Sequence, residues 1–226
     1  PLIPIHGREM VRVVIDNIRP SVPHRFIFLC LQEHIEQYEI DKKLKEWEPD
    51  CIVIHVDTVT EGAACTVLLA KEFINNADAL MIANSDQWTD SDCDAYLAKM
   101  EEDSADGLIM TMKATNPAFS YIGRNAAGQV SEVVEKKVIS DEATVGIYNF
   151  RKGQDFVQYA EQMIADNLRV NGEFYVAPVF NHMIRDGHTI TTYSVGEVDA
   201  GMYGLGVPED LDRFLAMDIS HKAAAF

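Results

Sequence analysis

The sequence has no apolar run approaching the ~20 residues that a membrane-spanning helix needs, and no secretory signal pattern is visible at its N-terminus. No membrane partner and a cytoplasmic location are therefore expected. Cysteine is scarce: Cys30, Cys51, Cys65 and Cys93, each in or beside an apolar segment, are the four in the chain. That excludes a disulfide scaffold. Their spacing also fits no zinc site, because Cys51 and His55 stand in C-x-x-x-H order within one predicted strand. Buried free thiols in a reducing compartment are the reading that remains. Basic residues are few as well, with 19 Lys and Arg against 36 Asp and Glu and a net charge of −17. A nucleic-acid partner needs a basic face and is excluded, and anionic small substrates are repelled at long range. Any phosphate site must then be made locally positive by a few lysines, backbone N–H groups or a metal ion. Repeats and linker-like stretches are missing too. With 47 % hydrophobic content, the 226 residues read as one domain, 1–226, with one large core.

What is present alternates in type along the chain. A Pro-rich extended start, Pro1-Leu-Ile-Pro-Ile-His-Gly7, precedes a helix over Glu9–Ile18, where Met10, Val11, Val14, Ile15 and Ile18 repeat at helical spacing. Strands are predicted at Arg25–Leu31, Cys51–Val56 and Leu80–Ala83, and helices at Glu33–Trp47, Glu61–Ile74 and Asp90–Met100. Strand and helix in alternation predict an α/β fold, Rossmann-like, with a mostly parallel central sheet between helical layers. After Asp106 the pattern changes to strands at Gly107–Met112, Phe119–Gly123, Val130–Lys136 and Ala143–Phe150, the middle two joined near Gly128.

The stretch Ala79–Thr89 organises the rest. Leu80 to Ala83 is apolar without alternation, which predicts a strand buried on both faces of a parallel sheet. It ends in Asn84-Ser85-Asp86-Gln87, all polar. Ligands of open α/β sheets sit at the carboxyl ends of strands. A carboxylate there can hold Mg²⁺ against nucleotide phosphates; equally, Asp86 opens a turn or caps the next helix.

Six segments, in order, resemble motifs of the sugar-1-phosphate nucleotidyltransferases, the nucleotide-sugar pyrophosphorylases, almost from end to end. Pro1–Gly7 is similar to the segment after that family's Gly-rich G-x-G-x-R loop. Glu61-Gly62-Ala63-Ala64 resembles the base-side glycine turn, and Asn84-Ser85-Asp86-Gln87 the metal aspartate after the central strand. Val133-Val134-Glu135-Lys136 resembles the V-x-E-K strand that meets the sugar phosphate. Ala143–Tyr148 is similar to the A-x-x-G-x-Y strand, and Gly204–Leu211 to the late G-T-P-E-D-L turn. Two departures stand out. The Gly-rich loop and its lysine would lie before Pro1, so ~25 further residues, roughly a strand and a loop, are expected upstream. Gly204 also stands where many relatives carry a second metal aspartate; Asp199 is near it in sequence.

The resemblance implies a nucleotide-diphospho-sugar transferase type of fold and an enzyme that condenses an NTP with a sugar 1-phosphate. It implies Mg²⁺ dependence and a place in surface polysaccharide biosynthesis. The nucleophile is an anionic phosphate oxygen, so positioning and charge neutralisation carry the chemistry rather than a strong base. Asp86 and Lys136 are the implied catalytic residues, Asp86 on the metal and Lys136 on the sugar phosphate as a point charge. Strand alternation exposes at least one of Lys136 and Lys137. Glu135 and Glu173 are implied acceptors for sugar hydroxyls, and Tyr121 a sugar contact, although a core tyrosine reads the same way. Glu61, Gly62, Gln87 and Gly146 complete the implied substrate-binding set. Homo-oligomerisation is left open. Two alternatives stand beside this reading: a metal-dependent glycosyltransferase of the related GT-A fold, for which Asp90-Ser91-Asp92 is a literal D-x-D, and a non-catalytic nucleotide-sugar-binding relative. The same D-x-D also suits a helix cap.

Overall fold

The structure is a computed structural model and describes residues 2–225. Pro1, the first residue of the predicted extended start, lies outside them. A short hairpin of β1 (Pro4–Ile5) and β2 (Arg8–Glu9) leads into α1 (Met10–Asn17), whose Val11 and Ile15 share a buried stripe. Next come β3 (Ile27–Leu31), α2 (Gln32–Tyr38), α3 (Ile40–Trp47) and β4 (Ile52–Val56). The helix predicted over Glu33–Trp47 is thus two helices, because Glu39 takes the left-handed conformation at φ 50 and interrupts the ladder. The predicted Glu61–Ile74 helix likewise divides into α4 (Ala63–Leu68) and α5 (Lys71–Ile74). Between them the backbone tightens, with Leu69 and Ala70 donating three residues back to Thr66 and Val67.

β5 (Leu80–Ala83), β6 (Gln87–Thr89), α6 (Cys93–Glu102) and β7 (Gly107–Lys113) follow. β8 (Ser120–Arg124) and β9 (Val130–Glu135) form the expected hairpin around Gly128, which sits at φ 79. The chain then runs through β10 (Glu142–Phe150), α7 (Gly153–Ala165), α8 (Val179–Arg185), β11 (Ile190–Val198), β12 (Gly201–Gly204), α9 (Pro208–Leu215) and α10 (Ile219–Ala223).

The three-layer α/β arrangement read from the sequence is the one observed. Strand order in the larger sheet is β6-β12-β11-β7-β10-β8-β9, with β5 also on β10. Alternate residues of β7 feed opposite faces: Ile109 joins Phe156, Met163 and Phe180 from α7 and α8, while Leu108 and Met110 join Tyr96 and Met100 from α6. Phe150 stacks on Phe180 with centroids 4.6 Å apart and meets Phe156 edge-on at 5.2 Å. Each such buried ring stabilises by roughly 1.5–3 kcal/mol.

The pairing is mixed. β11 is parallel to β7 and β12, whereas β10 is antiparallel to β7, β8 and β5. β10 keeps β7 along one edge but changes partner along the other, from β8 at Ala143 to β5 over Ile147–Phe150. Its register slips between those two contacts, around Gly146 at φ 98. β3 and β4 pair in parallel as a separate two-stranded sheet. Ile27 and Leu29 of β3 and Leu80 and Ile82 of β5 pack on the same core cluster. Among the described residues neither β3 nor β5 has a second partner, and every residue of both is only half-buried. The expectation that Leu80–Ala83 is buried on both faces of a parallel sheet is corrected accordingly, since its single partner, β10, is antiparallel.

Candidate active site

A cleft of about 900 Å³ opens where β10 changes partners. Its floor comes from β10, through Thr144, Gly146 and Tyr148. One wall is the turn after β5, with Asn84, Asp86 and Gln87; the facing wall is the β8–β9 pair, with Ser120, Glu135 and Lys136. Gly146 makes the junction fit. Its carbonyl accepts from the Asn84 backbone N–H at 3.1 Å, and a Cβ there would lie 2.9 Å from Asn84 Cγ and 3.2 Å from Gln87 Oε1. Only glycine lets both amide side chains cross the strand so closely.

Asp86 is exposed at the carboxyl end of its wall. Its carbonyl accepts from Leu205 N at 2.8 Å, and its carboxylate lies over Gly206, where a Cβ would be 3.0 Å from Cγ. It makes no ion pair among the described residues. Desolvation by the surrounding walls raises its pKa above the ordinary carboxylate value, against a smaller lowering by a backbone hydrogen bond. No group of three His, Cys, Asp or Glu side chains suited to a metal occurs among the described residues. A single free carboxylate nonetheless suits Mg²⁺, which takes one or two carboxylates and completes its shell with water and phosphate oxygens. Asp210 lines the same cleft, its Oδ2 3.1 Å from where a Cβ on Gly204 would be, whereas Asp199 is tied to Arg213 at 2.8 Å and does not line it.

On the facing wall Glu135 is 9 % exposed and accepts a hydrogen bond from the Ser120 hydroxyl. Burial is the main cause that raises its pKa. Thr144 and Tyr148 share a hydrogen bond at 3.0 Å, and burial pushes the Tyr148 phenol up to about 12, so it stays a neutral hydroxyl. Lys136 follows β9 in the left-handed conformation at φ 54, with its backbone N–H on Phe119 O at 3.1 Å, and its ammonium bonds Tyr175 OH. The wall therefore offers one cation among hydroxyls and a buried carboxyl group.

Raised folded-state pKa values carry a sign for stability. Between the unfolded and the raised pKa the folded protein binds more protons, so stability falls as pH rises through that window. At neutral pH Glu135 pays that cost in full. Glu135→Gln is expected to raise the melting temperature at neutral pH by about 2–4 °C, corresponding to roughly 1 kcal/mol. The gain should disappear in acid, where the wild-type carboxyl is protonated. Circular dichroism melts at both pH values check this, and an equal gain in acid would show that charge burial is not the cause.

Of the residues expected from the sequence, Asp86, Gln87, Glu135, Lys136 and Gly146 meet in the cleft. Tyr121, Glu61, Gly62 and Glu173 do not line it. Tyr121 is fully buried with its hydroxyl on Asn116 O at 2.7 Å, and its neighbour Ser120 faces the cleft instead. Glu61 binds Arg169 at 2.7 Å. Gly62, at φ 124, seats the backbone of Phe174, where a Cβ would come within 2.5 Å of N and O. Glu173 accepts from Tyr175 OH. The residues that sequence reasoning does not single out for the site are Thr144, Tyr148 and Tyr175. The first two stand two residues either side of Gly146, and period-two alternation is the signal that finds them. In the D-x-D, Asp92 caps α6 by accepting from Asp94 N at 2.8 Å, and Asp90 pairs with Lys222, so both are in structural use.

All four cysteines are free; Cys51 is buried and the others half-buried. Burial pushes the Cys30 thiol up to about 11 and Cys93 to about 12, which keeps both unreactive. No helix among the described residues is long and apolar enough to cross a membrane.

The cleft is substrate-sized and lies at the carboxyl end of β5 in a three-layer α/β fold, the place where such folds bind ligands, and comparison with known proteins gives the family. The sequence profile described as nucleotidyl transferase matches residues 1–188, and the chain belongs to that family: it is a nucleotidyltransferase. Among solved structures it is similar to the nucleoside-diphosphate-sugar pyrophosphorylase from Vibrio cholerae RC9, with a TM-score of 0.79 at 20 % identity, over 96 % of this chain and 91 % of that one. It is also similar to the inositol-1-phosphate CTP transferase from T. maritima, with a TM-score of 0.71 at 13 % identity, over 96 % and 83 %. A UDP-glucose pyrophosphorylase complexed with UDP-glucose gives 0.71 at 11 % identity, over 99 % and 88 %.

Proposed function

We propose that the protein condenses an NTP with a sugar 1-phosphate, releasing pyrophosphate and forming a nucleotide sugar. The observation that carries this reading is the division of the cleft. Among the described residues, Asp86 stands on one wall without an ion-pair partner, and Lys136, the one Lys or Arg lining the cleft, stands on the other beside buried hydroxyl and carboxyl groups. Asp86 would hold Mg²⁺, whose bound charge offsets that of the nucleotide phosphates. Lys136 binds the phosphate of the acceptor as a point charge. Glu135, Ser120, Thr144 and Tyr148 would meet acceptor hydroxyls, and Gly146 lets Asn84 and Gln87 extend from the nucleotide wall over the floor. The acceptor phosphate oxygen attacks the α-phosphorus and pyrophosphate leaves. The protein aligns two polyanions and neutralises them, a task in which positioning and fixed charge do most of the work.

The same proposal includes a cytoplasmic location, where nucleotides are made, and a product used in the assembly of a surface polysaccharide. The test is pyrophosphate release with each NTP, Mg²⁺ and a panel of sugar 1-phosphates. Release that needs both substrates is the expected result. Release of a nucleoside diphosphate from a nucleotide sugar would establish the glycosyltransferase alternative. Tight nucleotide-sugar binding without turnover in either assay would establish the non-catalytic one.

A further inference from the structure

A lysine at an exposed position loses up to ~2 kcal/mol of side-chain entropy when one geometry is imposed on it. Lys136 is such a residue, yet its ammonium has a defined seat. The Tyr175 phenol oxygen accepts from Nζ, and the same ammonium lies 4.5 Å from the centroid of the Tyr175 ring. The phenol proton is given to Glu173, so the three groups form a directional chain from lysine through phenol to carboxylate.

The seat is built from the core outward. Tyr175 is flanked by Phe174, fully buried, and Val176, 5 % exposed. Phe174 N donates to Glu61 O at 2.8 Å and Phe174 O accepts from Ala64 N at 3.0 Å, so the backbone next to Tyr175 is paired to the turn before α4. Gly62 permits that close approach, and the Arg169 guanidinium lies over the Phe174 ring at 4.1 Å while bound to Glu61. Three residues of the motif around Glu61, namely Glu61, Gly62 and Ala64, thus brace the segment that carries Tyr175.

We propose that Tyr175 is a positioning residue for Lys136: its ring and its Glu173-oriented hydroxyl hold the ammonium at the cleft wall, so that the acceptor's phosphate meets a charge already in place. This rests on the reading of that wall as the acceptor-phosphate site. Tyr175→Phe keeps the ring and removes the hydroxyl; Tyr175→Leu removes both.

With glucose 1-phosphate as the probe, Tyr175→Phe is expected to raise its KM roughly five- to tenfold. The KM for the NTP and kcat should each stay within about twofold, because only ground-state capture of one anion is weakened. A second readout needs no turnover. Reductive ¹³C-dimethylation of the lysines gives an NMR signal for Lys136, assigned by its loss in Lys136→Arg. The groups facing this ammonium are Tyr175, Glu135 and Glu173, and the hydrogen bond to Tyr175 is the leading cause that raises its pKa. In Tyr175→Phe the signal should therefore titrate at lower pH, and in Tyr175→Leu it should also lose its ring-current shift. An unchanged Lys136 signal in both variants overturns the proposal. So does a changed signal with an unchanged KM for glucose 1-phosphate, and so does a parallel rise in both KM values. If the wild-type protein releases no pyrophosphate, the functional reading fails alone, and the NMR comparison still decides whether Tyr175 seats the lysine.

Discussion

Asp86→Asn is expected to fold as the wild type does and to lose at least ~100-fold in nucleotidyl-transfer rate, since a preorganised charge contact is worth several kcal/mol in the transition state. The substitution keeps the size and one carbonyl oxygen but removes the charge. Asp86 has no ion-pair partner among the described residues and is exposed, so little folding energy depends on that charge. Mg²⁺ affinity measured by calorimetry in the presence of nucleotide should fall, and raised Mg²⁺ or Mn²⁺ should restore part of the rate. Titration gives a separate check. Desolvation raises the Asp86 pKa, so protonation on the acid side begins at a higher pH than for an ordinary aspartate. In the metal-free protein the Asp86 carboxyl, followed by NMR, should therefore titrate at a higher pH than an ordinary aspartate, and the Asn variant should lack that titration. A folded variant with near-normal rate and unchanged metal dependence would remove Asp86 from the site.

The second large effect is expected at Lys136. Lys136→Ala should raise the KM for the sugar phosphate roughly ten- to hundredfold, the size of a lost charged hydrogen bond of about 1.5–3 kcal/mol. The KM for the NTP should change little, because Lys136 and Asp86 stand on opposite walls. Arginine at the same position keeps the charge but brings a wider planar group, so it should recover only part of the affinity. If the NTP constant suffers instead, the two walls have been assigned to the wrong substrates.

Much of this site is legible in the sequence because strand ends are. Asp86 stands in the polar turn that ends an apolar run, and Glu135-Lys136 closes another, so local pattern places both where α/β folds bind ligands. What is not legible is the facing of side chains within a strand. Tyr121 and Ser120 differ by one residue, and a period of two sends one to the core and the other to the cleft. Glu61, Gly62 and Glu173 sit in motifs that the chain does use, but tertiary contacts set that use: a glycine seat for the Phe174 backbone and a carboxylate behind Tyr175. The fold shows the same limit. Alternation of strands and helices announces the layered architecture, whereas β6 has only three residues and β11 pairs with β7 far away in sequence, so neither is announced locally. The antiparallel direction of β5 on β10 is also decided by the late chain, through a strand that begins at Glu142.

The isolated β3–β4 pair has a consequence for how the molecule unfolds. A two-stranded sheet is marginal by itself; one face of this one, Phe28, Cys30 and Val53, rests on a small cluster with Val11, Ile15, Ile35, Ile40, Leu44 and Cys51, and the other, Ile27, Leu29 and Ile54, meets the main core only with half-buried side chains. Cooperative units with few buried contacts open at lower free energy than the core they border. Residues from Ile27 to Val56 should therefore exchange amide hydrogens as a separate, earlier-opening unit, while β7, β10 and α7 exchange only on global unfolding. Ile27–Leu31 and His34 border the cleft from that unit, whereas the lysine wall is built on the main sheet. One side of the cleft therefore breathes against a side that does not.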